Sequence, residues 1–270
     1  MPRRFRQWYP ELAKAAFLLK VPREVERAAV RPGMDLYRSV LAVFADRICL
    51  VQLSGGGVSR SDLAMEQVVA TRTYSNLLRG RWSLLAADGT SFDIDYNNVG
   101  QRRIAEVDLF VRRHRRGSSQ RPSPIPVRQV SDYFFVSALA ALTARAVEPQ
   151  QLIHAEAGGR PCRDDQGRRR RTTGLMVVEA ASELILVNRG GPTRPRFRAL
   201  RYASVVMAIP YQAMTSFSVL TPPADSPARF HRLVIRCGRQ AIDQACLTAP
   251  DAVVAALAAH GVPEVEGRRG

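Results

Sequence analysis

The sequence predicts an α+β fold made of two repeated antiparallel, partly open β-barrel units, each with a preceding helix and a C-terminal helix. Three observations carry this reading. The same order of elements runs twice along the chain, in residues 10–114 and 132–261. Each copy holds two apolar runs around a short polar turn, which is the spacing of an antiparallel hairpin. Each copy then closes on a helix, and strands in hairpin order with one terminal helix imply a sheet rolled over itself with the helix closing an open side. No sheet is expected to span both copies.

In the first copy, Pro10 suits a first helical turn, and Leu12, Ala15, Ala16 and Leu19 recur at helical spacing before Val21 and Pro22. An extended segment follows at 25–30. Apolar runs at 40–44 and 48–51 flank the turn Ala45-Asp46-Arg47, and Gly55 to Gly57 leads to a strand at 63–71. A further hairpin pairs 82–86 with 92–96 through Asp88-Gly89, with Phe92, Ile94 and Tyr96 facing one way and Asp93 and Asp95 the other. The closing helix covers 104–111.

In the second copy, Ser131 or Asp132 caps a helix carrying Phe135, Leu139 and Leu142. Extended chain at 152–157 precedes the apolar pair 175–178 and 184–187. After Gly190-Gly191-Pro192 come a strand at 207–219 and a hairpin of 231–235 with 241–246, turning at Gly238. A helix at 252–259 starts at Pro250-Asp251 and stops at Gly261. The boundaries that result are a first unit at 1–116, a Ser/Pro-rich linker at 117–130, a second unit at 131–262 and a basic tail at 263–270.

The stretch from Gly174 to Val187 together with Ile209-Pro210-Tyr211 resembles the bacterial pleckstrin-homology-like and GRAM-like domains. The likeness covers most of 150–260 and extends through the repeat to 22–114, where Met65-Glu66-Gln67 stands in place of Ile-Pro-Tyr. It implies a small, partly open barrel used for lipid or protein binding rather than catalysis.

Composition sets the partner class. The chain has 270 residues with 40 Lys and Arg against 24 Asp and Glu, a net charge of +16, and every cation except Lys14 and Lys20 is arginine, so the charge persists near neutrality. Arginines gather in three places: Arg112, Arg113, Arg115, Arg116 and Arg121 in and before the linker; Arg160, Arg163 and Arg168 to Arg171; and Arg189, Arg194, Arg196, Arg198 and Arg201. No apolar run reaches the 18 residues or so of a membrane helix. Met1 to Arg6 is basic like an export leader, but Lys14 and Lys20 break the apolar stretch behind it, so no export signal is read and the expected location is cytoplasmic, peripheral at a membrane in one reading. Cys49 and Cys237 sit in apolar runs as small hydrophobes, the cysteines form no C-x-x-C pair, and Cys162 alone lies among cations.

Reaction chemistry is missing from the pattern. The glycines at 55–57 lack the third glycine of a dinucleotide loop, where Arg60 stands, and no phosphate loop occurs. His114, His154, His231 and His260 are scattered; His154 and Glu156 share a strand face with no third metal ligand in view. The expectation is a non-enzymatic binding or adaptor protein without cofactor or metal. Its partner is an acidic membrane surface or an acidic protein, alone or in a complex, contacted by Arg168, Arg169, Arg170, Arg171, Arg189, Arg194, Arg196 and Arg198. A nucleic-acid role is the second choice, because such grooves interleave aromatics with cations and these stretches hold only Phe197 and Tyr202. Self-association stays open.

Overall fold

Four strands, a 3-10 turn, three strands and a helix follow one another, and the order then recurs with a two-stranded ribbon inserted after its first strand. The structure is a computed structural model and describes the chain except residues 1, 24, 56, 77, 98–99, 116–132, 144–149, 159–160, 164–168, 172, 190–202, 223–229 and 267–270; for 27, 133, 143, 161–163 and 169–171 it describes the backbone alone. A 3-10 helix (Arg3–Trp8) and a short helix α1 (Tyr9–Leu12) lead into β1 (Phe17–Pro22), β2 (Tyr37–Val43), β3 (Arg47–Ser54) and β4 (Gly57–Ala64). After the turn Met65–Gln67 come β5 (Val68–Ser75), β6 (Arg79–Ala86), β7 (Ser91–Asn97) and α2 (Gln101–His114). The second half has α3 (Tyr133–Thr143), β8 (Gln150–Glu156), a ribbon of β9 (Pro161–Arg163) and β10 (Arg169–Arg171), then β11 (Gly174–Ala180), β12 (Glu183–Arg189) and β13 (Ser204–Pro210). The turn Tyr211–Ala213, β14 (Ser216–Leu220), β15 (His231–Cys237), β16 (Gln240–Cys246) and α4 (Asp251–Ala259) complete it.

The fold is α+β and every pairing between these strands is antiparallel. Three open sheets and the ribbon result. β1 to β4 form one sheet in order, β14 to β16 another, and the third has the order β7-β6-β5-β13-β12-β11-β8. This last sheet runs through both halves, contrary to the expectation of separate sheets. The reason lies in the edges. β5 borders the three-stranded part of the first half and β13 the four-stranded part of the second, and pairing Ser75 with Ser204 through Thr71 with Ala208 removes two rows of unpaired backbone groups.

The shared sheet exchanges the roles of its faces at that seam. In the first half, Trp82, Leu84 and Ile94 point at α2 and at the inner face of the four-stranded sheet, where Leu41, Val43, Ile48 and Leu50 complete a core with Ile104, Val107 and Val111. In the second half the face carrying Leu175, Val177, Leu184 and Leu186 turns instead toward β14 to β16 and α4. The other face of those strands, with Met176, Val178, Ile185 and Val187, is covered by Phe135 of α3. Phe5 and Leu12 cover Val40, Ala42, Cys49 and Val51 in the same way. Strands coated on both sides read as unbroken apolar runs rather than alternating ones, which is why these hairpins stand out in the sequence. Each buried Leu, Val or Ile contributes about 1.5–3 kcal/mol.

Several boundaries move. Residues 17–19, expected to be helical, belong to β1, which pairs with β2 from Phe17↔Val43 onward, so strand pairing overrides the helical spacing. The stretch 25–30 holds only a 3-10 turn, Arg27–Ala29. The expected strand at 63–71 is the end of β4, a turn and the start of β5, and 207–219 divides at the corresponding turn. The linker at 117–130 lies outside the described residues.

Candidate functional site

Register along the shared sheet sets Asn188, Val205, Tyr74, Arg81 and Asp95 in one row across five strands. Leu186, Met207, Arg72, Ser83 and Asp93 form the next row on the same face. This face is interior in the second half and outward in the first. β16 bridges the change: Gln240 Nε2 donates to the Thr90 carbonyl at 3.2 Å near its start, and Asn188 Nδ2 donates to Gln244 Oε1 at 2.9 Å toward its end. The hairpin tip is pinned to the first half by the Arg239 amide, 2.8 Å from the Ala87 carbonyl. Between β16 and the end of β1, at Pro22 and Arg23, a groove of about 730 Å³ opens over the two rows.

Its charges are unequally satisfied. Arg81 Nε donates to Asp95 Oδ1 at 2.7 Å, and Arg38 approaches the other oxygen at 4.0 Å. Asp243 is ion-paired with Arg232 of β15. Arg72, half-buried in the groove, makes one long contact, 3.5 Å to Ser83 Oγ, and has no carboxylate partner among the described residues. Arg23 and Arg79 are exposed at the groove's rim. Leu186, Val205, Met207 and Ile242 add an apolar wall. Chemically the groove offers positive charge, hydrogen-bond donors and apolar contact; its lining includes no histidine, cysteine, serine or threonine among the described residues.

On the opposite face a smaller cavity of about 320 Å³ separates α2 from α3 over the seam, where Ser75 Oγ and Ser204 Oγ lie 2.9 Å apart. Beside it the halves are joined by ion pairs. Glu183 accepts from Arg112 Nε at 3.0 Å and from Arg115 Nη2 at 3.2 Å, Arg115 also donates to the Ala208 carbonyl at 2.9 Å, and Trp82 Nε1 holds Asp108, which faces Arg112. Burial works against the charge on Arg112, but Glu183 and Asp108 outweigh it and hold the guanidinium above the ordinary arginine range. Arg112 and Arg115, which the sequence groups with the arginines in and before the linker, are thus internal.

None of the arginines singled out from the sequence is among the described residues that line the groove. Arg168, Arg194, Arg196 and Arg198 lie outside the described residues. Arg169, Arg170 and Arg171 form β10, paired with Arg163, Cys162 and Pro161, and their side chains are likewise outside the description. Arg189 ends β12 on the other face of the sheet, with its guanidinium 5.4 Å from the centroid of the Phe134 ring. Sequence reasoning missed Arg72, Tyr74 and Arg81. The available signal was the polar continuation Arg72-Thr73-Tyr74-Ser75 of a strand closed too early at Thr71.

The polar cluster around Glu156 is structural, and the buried thiols are inert. Glu156 accepts the Leu247 amide at 2.8 Å and the Thr248 amide at 2.7 Å, tying β8 to the end of β16; His154 Nε2 lies 3.1 Å from Glu156 Oε1 without hydrogen-bond alignment. Burial pushes the thiols of Cys49 and Cys246 up to about 12 and that of Cys237 to about 11, which makes them unreactive. No group of three or more His, Cys, Asp or Glu able to hold a metal occurs among the described residues. No described helix is long and apolar enough to cross a membrane. No family model matches the chain, and no curated protein matches it.

Proposed function

We propose that the protein is a non-enzymatic binding module, two pleckstrin-homology-like units fused through β5 and β13, that presents arginines to an acidic partner. The order of four strands, turn, three strands and helix, repeated with the β9–β10 ribbon inserted in the second copy, supports the fold part of this reading. The observation that carries the functional part is Arg72: a half-buried cation without a carboxylate among the described residues, in a groove whose two acids already have partners. A half-buried guanidinium with no carboxylate partner among the described residues favours an incoming anion. The arginines at 168–171 and 194–198 add long-range attraction, at roughly 1 kcal/mol per cation near an anionic surface.

The test uses the full chain, a polyglutamate peptide and vesicles of phosphatidylcholine with phosphatidylserine. Binding to at least one acidic probe is expected at low salt and should weaken as salt rises, because the screening length is about 8 Å at physiological ionic strength. Replacing Arg168 to Arg171 by glutamine should reduce that salt-sensitive part. Absence of binding to both probes at low salt overturns the reading.

A further inference from the structure

The groove's third wall is the feature the charges alone leave unused. β16 pairs with β15 over seven residues, from His231↔Cys246 to Cys237↔Gln240, without a register shift. Its other edge has no strand partner among the described residues. Ile242 and Gln244 point to the interior and Asp243 outward, yet all three line the groove, so the groove runs along the strand's edge rather than beside one face. Natural sheets blunt such edges with lysine, proline or a bulge. β16 has none of these, and its outward residues beside Asp243 are the small Ala241 and Ala245.

We infer that the groove receives an extended acidic peptide segment of a partner protein, which adds a strand to the edge of β16 that no described strand pairs and sets its carboxylates on Arg72 and, at the rim, Arg23. The inference rests on the binding-module reading and names its ligand. Backbone pairing supplies affinity in strand addition, and side chains at alternate positions supply selectivity. Here one set of side chains faces Arg72, Tyr74 and Arg81, so acidic residues at alternate positions fit, with strand-forming Val or Ile between them. The chain's own segment at 190–202 is a poor occupant, since it carries Arg194, Arg196, Arg198 and Arg201 and no acid.

The test measures binding of a labelled ten-residue peptide alternating Glu and Val to the full chain by fluorescence anisotropy, with amide hydrogen exchange of residues 240–246 as the second readout. Binding should slow exchange in 240–246. A peptide of the same charge with proline at every valine position should lose most of the affinity, because proline cannot donate to a ladder. Arg72→Gln should weaken binding about tenfold, the usual effect of removing one charged hydrogen bond, and Arg72→Lys should recover part of it. Arg23→Gln, at an exposed site, gives a smaller loss and guards against misfolding of the first variant. If the peptide binds equally to Arg72→Gln and leaves 240–246 unprotected, it sits on arginines elsewhere: strand addition fails while the binding module stands. Protection of 240–246 by phosphatidylserine vesicles and not by peptide overturns the inference in favour of a lipid surface. Binding of no acidic probe at any salt removes the underlying reading itself.

Discussion

Arg112, in the last turn of α2, and Glu183, the first residue of β12, form an ion pair in the interior across 71 residues of sequence. Glu183 also holds Arg115, so one carboxylate answers two buried guanidinium groups from the other half. Removing that carboxylate charge leaves two cations in a dry site with Asp108, 3.6 Å from Arg112, as the remaining acid among the described residues. Glu183→Gln should cost about 3–5 kcal/mol, the usual penalty for breaking a buried pair from one side. Arg112→Met should cost less, because Arg115 still answers the acid. Urea unfolding monitored by Trp fluorescence measures both, and equal losses for the two variants would contradict this account.

Glu156 and Glu179 are both buried and should respond to pH in opposite senses. Burial raises the Glu156 pKa, but the contact with His154 and the hydrogen bonds from Leu247 and Thr248 outweigh it and hold the carboxyl below its ordinary value near 4.5. A carboxylate depressed in the folded state gives stability that is present above the unfolded value and lost as pH falls through the folded one. Glu156→Gln should therefore be less stable than wild type near neutrality, and the gap should close on acidification. Denaturant midpoints measured from neutral pH down to about pH 3, below the ordinary glutamate range, check this.

For Glu179, burial is the leading cause and raises the carboxyl above its ordinary value, with the hydrogen bond from His260 opposing in part. His260 Nε2 lies 3.2 Å away and its ring stacks on Tyr211 at 3.6 Å. A raised carboxyl favours the protonated fold, so its contribution weakens stability as pH rises from the unfolded value through the folded one. Glu179→Gln keeps a hydrogen-bonding oxygen and removes the charge. The variant should be at least as stable as wild type at neutral pH and should lack that part of the pH slope. A marked loss at neutral pH would show the charge to be needed.

Gly238 turns β15 into β16 at φ +60°, and a Cβ there would lie 2.5 Å from the Ala87 carbonyl oxygen. Backbone conformation and backbone contact both require glycine at this point. Gly238→Ala should cost roughly 1–3 kcal/mol and loosen the hairpin tip from the first half. Faster amide exchange at Arg239, whose amide bonds Ala87, is the local readout.

Legibility in the sequence followed burial. The hairpins of β2 with β3 and β11 with β12 were plain because both faces are covered, and α4 was framed by Pro250-Asp251 and Gly261. β4 was hidden: Val58-Ser59-Arg60-Ser61-Asp62 is a half-exposed edge, and the ion pairs of Arg60 with Glu11 and Asp62 resemble loop polarity in one dimension. Arg112 and Arg115 were misplaced because a basic run normally marks a solvated surface, and their partner Glu183 lies in another half of the chain. The groove was invisible for the same reason. It exists only once Tyr74 pairs with Val205, a contact that no local pattern encodes.

That pairing also sets a schedule for synthesis. β5 is complete at Ser75, but its partner strand begins at Ser204. At about 5–20 residues per second, the ribosome delivers the second strand roughly six to twenty-five seconds after the first. Throughout that interval the edge of β5 lacks the strand that pairs with it in the folded protein. The polypeptide is consequently most vulnerable to cross-pairing with neighbouring nascent chains during translation, and slowing elongation between codons 76 and 203 should lower its soluble yield more than the same delay placed after codon 210.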